Sequence, residues 1–582
     1  MSLILPTIQA PSEAIQSVLD RIEDGIALHE KGDIWGAEKI YRRVLKDYPG
    51  QPKATALMGL LAHVRGENDR AMKLLEQASE DDPNSAFIHG NRGAILFSLG
   101  RHADAIEAYT QAVEEWPGYA VGYANLAVVL AEMFRHEEAA YAVSRAVELD
   151  PDHYDYGYLR PYLLDLTPST TPEDAKAARR LFNDQHIAPR MVGRLPHEND
   201  RTPGRKLKVG YVSSDFYQHS AAHGFGGIIV NHDPERVALT LYGSVEREDN
   251  VTKHFREREN VTWVDVKGWS EDKLALKVRR DQIDVLVDLS TFTKGNHLRA
   301  LARKPAPVQV SGWGYAAGTG LDCMDAFMAD RIVAPESDAW QHAEAVVHLP
   351  CAMSWARPEY LIDAGHVPAV FGRPFTYMVA NRLQKFTQPC IDAWCEILRR
   401  APKSRLILKA PGFDSPQAKD AMIAKFKAAG VFYADGPADA QGRRPTRVAL
   451  FGKTGHADQL SAHWRADVML DVWPMTGGVS AIESLWMGVP VLTLKGDRAV
   501  GRIAASILAS VGGLDDWVTH SWEQYIERAV AAAERPYDLI PLRRTLRDRL
   551  LASPITQLRE YAGHVEDAYQ MLFDQWAVSE ES

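Results

Sequence analysis

Cysteine is scarce in this chain, with four in 582 residues: Cys323, Cys351, Cys390 and Cys395. Cys390 and Cys395 stand too far apart for a C-x-x-C motif and have no histidine at zinc spacing, so neither a disulfide scaffold nor a zinc ribbon is indicated. Long apolar runs are lacking too; none approaches the roughly 20 residues that span a bilayer. The opening MSLILPTIQAPSEAI has neither the basic start nor the apolar core of a secretory signal. Positive charge is not in excess: 66 Lys and Arg against 77 Asp and Glu leave a net charge of −11. That balance argues against nonspecific binding to nucleic acid or to an anionic membrane. The expectation is a reduced, cytoplasmic protein with neither nucleic acid nor membrane as partner.

What is present is an ordinary globular composition, 46% hydrophobic and 25% charged, in a chain long enough for two or more domains. The first part is repetitive. Pro49, Pro83, Pro117 and Pro151 recur at one interval of about 34 residues, the length of a tetratricopeptide unit. In that register Ala37, Ala71, Ala105 and Ala139 form one column, and Gly25, Gly59, Gly93 and Ala127 a second. Gly32, Gly66, Gly100 and Phe134 form a third, and Tyr41, Leu75, Tyr109 and Val143 a fourth. Small residues permit two helices to cross closely, and the proline stops the second helix. Residues 1–151 are therefore expected to form four tetratricopeptide repeats, an α-solenoid with a concave binding groove. Phe134 in place of the turn glycine marks a repeat near the end of the array. Residues 152–205 read as a helical cap, starting a helix at Thr171-Pro172-Glu173-Asp174, and then a polar linker.

After Arg205 the periodicity changes. Short apolar runs suited to buried strands occur at Val209–Val212, Leu239–Tyr242, Val285–Val287 and Val308–Val310. The alternation of strand and helix resumes after a break near 355–372, with strands at Phe375–Val379, Arg405–Leu408, Val468–Leu470 and Val489–Leu494. Two Rossmann-like domains, 206–365 and 366–582, are expected to face each other across a cleft. Gln557–Trp576 reads as a long helix returning to the first of them.

Four clusters carry residues suited to chemistry. KVGYVSSDFYQHSAAH, Lys208 to His223, delivers His219 and His223 to the end of a strand; either could act as general base, or both could be surface or capping residues. Asp288 to Asn296 brings hydroxyls, including Thr293, and a lysine to another strand end, as a ligand loop or as a polar turn closed by Gly295. Trp313 to Gly320 holds three glycines in eight residues, as a substrate loop or a tight connection. Met475 to Pro490 puts Gly477 and Gly478 before a helix starting near Ser480, where backbone N–H groups suit a phosphate. Glu483 there is either a ribose ligand or a carboxylate favoured by the helix dipole. Lys385, in NRLQKF, faces the same diphosphate or is a solvated lysine.

Taken together, VGYVSSDF with its histidine, DLSTFTKGN, PAPVQVSGWGYAAGTG, NRLQKF, ESLWMGVPVLTL and GRIAASIL resemble the O-linked N-acetylglucosamine transferase family, which includes plant Spindly-type enzymes and many bacterial members. The resemblance covers about residues 206–575, behind repeats in the family's arrangement. It implies a glycosyltransferase B fold. It further implies a nucleotide-sugar donor in the cleft without an obligatory metal or cofactor, inversion at the sugar carbon, and Ser or Thr of a protein as acceptor. By position, His219 matches the histidine proposed as base and Lys385 the lysine that neutralises the diphosphate. Thr293 falls near the donor sugar, Ser480 and Glu483 at phosphate and ribose, and His456 or Gln459 near the base. Arg382, Gln384, Gly477 and Gly478 complete the donor side, with His223, Tyr315 and Thr319 on the side of the sugar or acceptor.

The departures cluster around the donor. Gly478-Val479-Ser480 stands where the family has a run of threonines, and Glu483 where it has aspartate. Arg382 replaces a glutamine, and Gly314-Tyr315-Ala316 replaces glycine-tyrosine-proline. They leave open a flagellin glycosyltransferase that uses a CMP-activated nonulosonic acid, and, in another class, an inactive repeat scaffold.

Overall fold

The computed structural model describes residues 13–434 and 444–579. Contacts divide them into two compact units. One runs to Leu130 and includes Ser415–Gln417; the other comprises Ala131–Asp414 and the chain from Ala418 onward.

The first unit is a stack of helical hairpins: α1 (Glu13–Glu30), α2 (Ile34–Asp47), α3 (Pro52–Val64), α4 (Asn68–Asp81), α5 (Ala86–Ser98), α6 (His102–Glu115) and most of α7 (Ala120–Glu132). The columns of the repeat explain the packing. A Cβ on Gly25 would lie 2.4 Å from the Tyr41 ring, and one on Gly93 2.9 Å from the Tyr109 ring, so the small and large columns interlock. Gly32, Gly66 and Gly100 turn each hairpin with φ of +81°, +80° and +73°. Phe134 makes the same turn at φ 64 in the fourth repeat, a left-handed conformation unusual for a bulky residue.

The division falls inside α7, so the last helix of the fourth repeat, α8 (His136–Leu149), belongs to the second unit. It is followed by α9 (Tyr154–Leu166) and α10 (Pro172–Phe182). The start expected at Thr171 is a capping box with Asp174.

Two parallel sheets follow. The first has the order β3-β2-β1-β4-β5-β6-β7. Its strands are β1 (Leu207–Ser213), β2 (Val237–Gly243), β3 (Val261–Asp265), β4 (Val285–Asp288), β5 (Val308–Ser311), β6 (Ala326–Ala329) and β7 (Ala345–His348). Between β1 and β2 lies α11 (Ser220–Asn231); α12 (Asn250–Arg256), α13 (Glu271–Arg280) and α14 (Leu298–Ala302) complete this domain. The second sheet has the order β10-β9-β8-β11-β12-β13. Its strands are β8 (Thr376–Ala380), β9 (Arg405–Lys409), β10 (Val448–Phe451), β11 (Val468–Leu470), β12 (Val491–Leu494) and β13 (Val518–Thr519). Its helices are α15 (Gln388–Arg400), α16 (Pro416–Ala428), α17 (His456–Ser461), α18 (Val479–Trp486), α19 (Ile503–Val511), α20 (Trp522–Glu534) and α21 (Leu539–Ala552).

Both sheets reverse direction at one point, between β1 and β4 in the first and between β8 and β11 in the second. Ligands of such sheets bind outside the carboxyl ends of the strands at that point. The strands anticipated from apolar runs are all present. β3, β6, β7, β10 and β13 are not among those anticipated; of these, β3 and β10 are half-exposed edge strands, and β3 has no continuous apolar run. α22 (Leu558–Val578) returns to the first sheet's domain, where Tyr569 meets Tyr211 of β1 and Glu566 pairs with His232 at 2.9 Å. Among the described residues no helix is long and apolar enough to cross a membrane.

Candidate functional site

The residues of interest come from loops that leave β1, β4, β8 and β11, the four strands flanking the two reversal points. β1 ends at Ser213, and His219 caps the N-terminus of α11. Its Nε2 accepts from Arg382 Nη2 at 2.8 Å, across the cleft between the two sheets. A guanidinium only donates, so the imidazole proton resides on Nδ1, 3.6 Å from the carboxylate of Asp215. Ala221 N lies nearer that nitrogen, at 3.4 Å, but a protonated Nδ1 cannot accept from it, so this tautomer gives up the side-chain bond to the start of α11. Burial, then Arg382 and His223, hold His219 down at about 4. Burial raises Asp215 to about 6 against the pull of Arg382. His219 is thus neutral near pH 7, with a carboxylate behind Nδ1 and its basic lone pair covered by Arg382.

The linkage has a definite sign. The folded value lies below the 6.5 of a free histidine, so the unfolded chain takes the extra proton first. The stability involved is present above about pH 6.5 and lost as pH falls through about 4. In an Arg382→Gln variant the midpoint of His219, followed by imidazole NMR, should rise but stay below 6.5, because burial is the larger cause. An unchanged midpoint would rule out the contact.

β8 leads into the loop Asn381 to Phe386. Lys385 Nζ donates to the carbonyl of Thr476 at 3.0 Å, beside the start of α18. Burial and Arg382 lower it to about 8, and Asp471 opposes them. Asp471 is buried, accepting from Gly477 N and from Thr493 Oγ1, both at 2.8 Å. It therefore shapes the glycine turn as well as facing the lysine. Gly478 precedes α18; a Cβ there would stand 2.8 Å from Met353 Sδ, so any larger residue would have to displace that methionine. The first-turn N–H groups of Val479 and Ser480 have no acceptor within the helix. Ser480 Oγ lies 3.5 Å from Asn381 Nδ2.

At the far end of the same helix start, Glu483 Oε1 meets His456 Nε2 at 2.8 Å, and His456 Nδ1 meets the Tyr360 hydroxyl at 2.7 Å. His223 stacks on His456 with centroids 5.2 Å apart and contacts Gln218 at 3.0 Å. The structure places His223 beside the Glu483–His456 pair rather than beside Tyr315 and Thr319. Gln459 lies one turn along α17, half-buried.

Four expected site residues are committed elsewhere. Tyr315 donates to Asp165 at 2.6 Å, and Thr319 is fully buried against Glu344, so neither hydroxyl is offered to a substrate. Gln384 turns away from Lys385: its side-chain oxygen accepts from Tyr162 at 2.8 Å, and its backbone carbonyl bonds His136 at 2.8 Å. Leu383–Lys385 form a single 3-10 turn, in which adjacent side chains point in different directions, and proximity to Lys385 in sequence conceals this. Thr293 directs its hydroxyl to Ser290 O at 2.8 Å, inside a turn organised by buried Asp288. Gly314 passes so close to the Leu289 carbonyl that a Cβ would sit 1.5 Å from it; the glycines of 313–320 serve a tight connection.

Asp215, Asp471, Asn381 and Tyr360 escaped the reading of motifs. For Asp215 a signal exists, since it precedes His219 by four residues, and for Asp471 too, since it ends a strand as Asp288 does. Nothing local marks Tyr360.

The model for glycosyl transferase family 41 matches residues 186–355 and 372–565. Tetratricopeptide models match 24–86, 57–120 and 96–160. A Solanum lycopersicum protein described as a probable UDP-N-acetylglucosamine–peptide N-acetylglucosaminyltransferase SPINDLY is 30% identical over 384 residues, covering 65% of this chain and 40% of that protein. The Arabidopsis thaliana protein SEC, of the same description, is 28% identical, covering 64% of this chain and 37% of its own length. The chain thus spans about two fifths of the curated relatives it matches. Among solved structures, a Thermobaculum terrenum O-GlcNAc transferase mutant superimposes with a TM-score of 0.77 at 25% identity, covering 98% of this chain and 99% of that one.

Proposed function

The chain belongs to glycosyl transferase family 41, and from that premise we propose that it is a protein O-glycosyltransferase. It takes the sugar of a nucleotide-sugar donor and passes it to a Ser or Thr hydroxyl of a protein held by the repeats. The observation that carries this reading is the convergence of His219, Arg382, Lys385 and the start of α18 from loops at both reversal points.

In this reading the acceptor oxygen attacks the anomeric carbon as the bond from that carbon to phosphate oxygen breaks. Its proton passes to His219 Nε2, and a single displacement inverts the carbon. The departing phosphate draws on the Lys385 ammonium and the free N–H groups of α18, the electrostatic stabilisation that usually contributes most. No metal is required where those charges are supplied by the chain. Arg382 covers the His219 lone pair, so donor phosphate has to attract the guanidinium before the base is free. Glu483 and His456 hold the nucleoside end.

Two titrations bound the activity. His219 accepts a proton only above about 4, and Lys385 keeps its charge only below about 8. kcat/KM should therefore be level near neutrality and fall on the alkaline side with a midpoint around 8. A profile still rising past pH 9 would remove Lys385 from its role.

A second reading follows from Arg382, which adds a planar cation to that of Lys385. Such a fork suits a carboxylate, as on a CMP-activated nonulosonic acid, and flagellin would then be the acceptor. Thermal-shift titration with UDP, GDP and CMP and their sugars separates the readings. Stabilisation by UDP or GDP supports a diphosphate donor, and stabilisation by CMP the acidic sugar. No response to any would overturn the transferase assignment.

A further inference from the structure

Helix α9 carries the run YDYGYLRPYLLDL. Tyr154, Tyr158, Tyr162 and Asp165 recur at spacings of three and four, so they line one face. In the second unit three of these four each hold a loop at the carboxyl end of a strand. The Tyr154 hydroxyl donates to Asn296 Oδ1, in the loop after β4. The Tyr162 hydroxyl donates to Gln384 Oε1 at 2.8 Å, in the loop after β8, and also faces the guanidinium of Arg382. Asp165 accepts from Tyr315 at 2.6 Å, in the loop after β5, and pairs with Arg179 of α10 at 2.6 Å. Arg498, in the loop after β12, stands 3.6 Å from Asp165 and donates to Leu164 O at 3.1 Å. One helix outside both sheets therefore touches four loops, two from each lobe.

We infer that α9 is a positioning element of the transfer site, and that Tyr162, acting through Gln384, sets the loop that presents Arg382 and Lys385. The inference rests on the transferase reading. Gln384 is gripped from three directions: by Tyr162, by His136 Nε2 at 2.8 Å, and by Glu132 at 3.3 Å. The two cations lie within the same turn, Lys385 next in sequence and Arg382 two residues before, and point to Thr476 O and to His219. A single turn that short cannot release Gln384 without shifting both cations. The bonds that fix it come from the last repeat and its cap, helices with no nucleotide-binding motif, so α9 aligns the two walls although it meets no substrate. Tyr162 and Gln384 are positioning residues.

The test is a double-mutant cycle on the full chain, reading dissociation constants for UDP, GDP and CMP by calorimetry, with melting midpoints alongside. Tyr162→Phe and Gln384→Ala should each weaken the nucleotide that the wild type binds best by roughly three- to tenfold, the scale of one lost hydrogen bond. The double variant should be no weaker than the weaker single one, since both cut the same link. All three should melt close to the wild type. Singles that bind like the wild type, or losses that multiply in the double variant, overturn the positioning role while the transferase reading stands. A wild type that binds none of the three nucleotides overturns that reading, and this inference with it.

Discussion

Replacing Lys385 with Ala should lower turnover by roughly a hundred- to a thousandfold, the loss seen when one fixed donor to a developing negative charge is removed. The reason is its position. Lys385 reaches the Thr476 carbonyl at 3.0 Å, at the glycine turn before α18, and is half-buried there, partly shielded from water. A cation held there needs no rearrangement when charge develops on the leaving phosphate. The ground-state binding of an acceptor peptide, measured by fluorescence anisotropy, should change little, because the loss falls on the transition state. Arginine should rescue only part of it, since a planar fork does not occupy the place of a compact ammonium. Turnover within a few-fold of the wild type would show that the departing group is stabilised elsewhere.

The largest effect on stability should come from Asp165→Ala. Asp165 is 1% exposed and faces two cations, Arg179 at 2.6 Å and Arg498 at 3.6 Å, both themselves buried. Truncation would leave two guanidinium groups and the Tyr315 hydroxyl without their common acceptor. Breaking a buried pair from one side costs about 3–5 kcal/mol, more than the intact pair contributes over an apolar replacement. Urea unfolding should show that loss in the transition of the second unit, and Asp165→Ala combined with Arg179→Met should recover part of it. Equal stability of the single variant and the wild type would contradict the burial of the cluster.

Much of the fold was legible, for reasons that differ by region. In the repeats each column of small or large residues meets another a fixed distance along the chain, so Gly25 against Tyr41 and Gly93 against Tyr109 follow from local spacing. In the parallel sheets the inner strands are buried on both faces and read as unbroken apolar runs, as in Val285–Val287. The edge strand β3, half-exposed along VTWVD, has no such signature. At the site, the residues that stood out were those whose type already suggests chemistry: His219, Lys385, and the glycines before α18. Asp215 and Asp471 did not, because an aspartate at a strand end looks the same whether it orients a histidine or simply ends a turn.

The amino-acid sequence was sufficient to establish a tetratricopeptide array, two doubly wound domains and membership of a transferase family, since each rests on periodicity or on motifs contiguous in the chain. It could not show which way a loop side chain points. Tyr315, Thr319 and Gln384 lie among site residues, yet their partners are Asp165, Glu344 and Tyr162, far away in the chain. Nor could it show that Arg382 rests on His219, 163 positions apart. Those pairings depend on how the lobes and the cap close on one another, and burial in that closure decides both the protonation of His219 and the charge of Lys385.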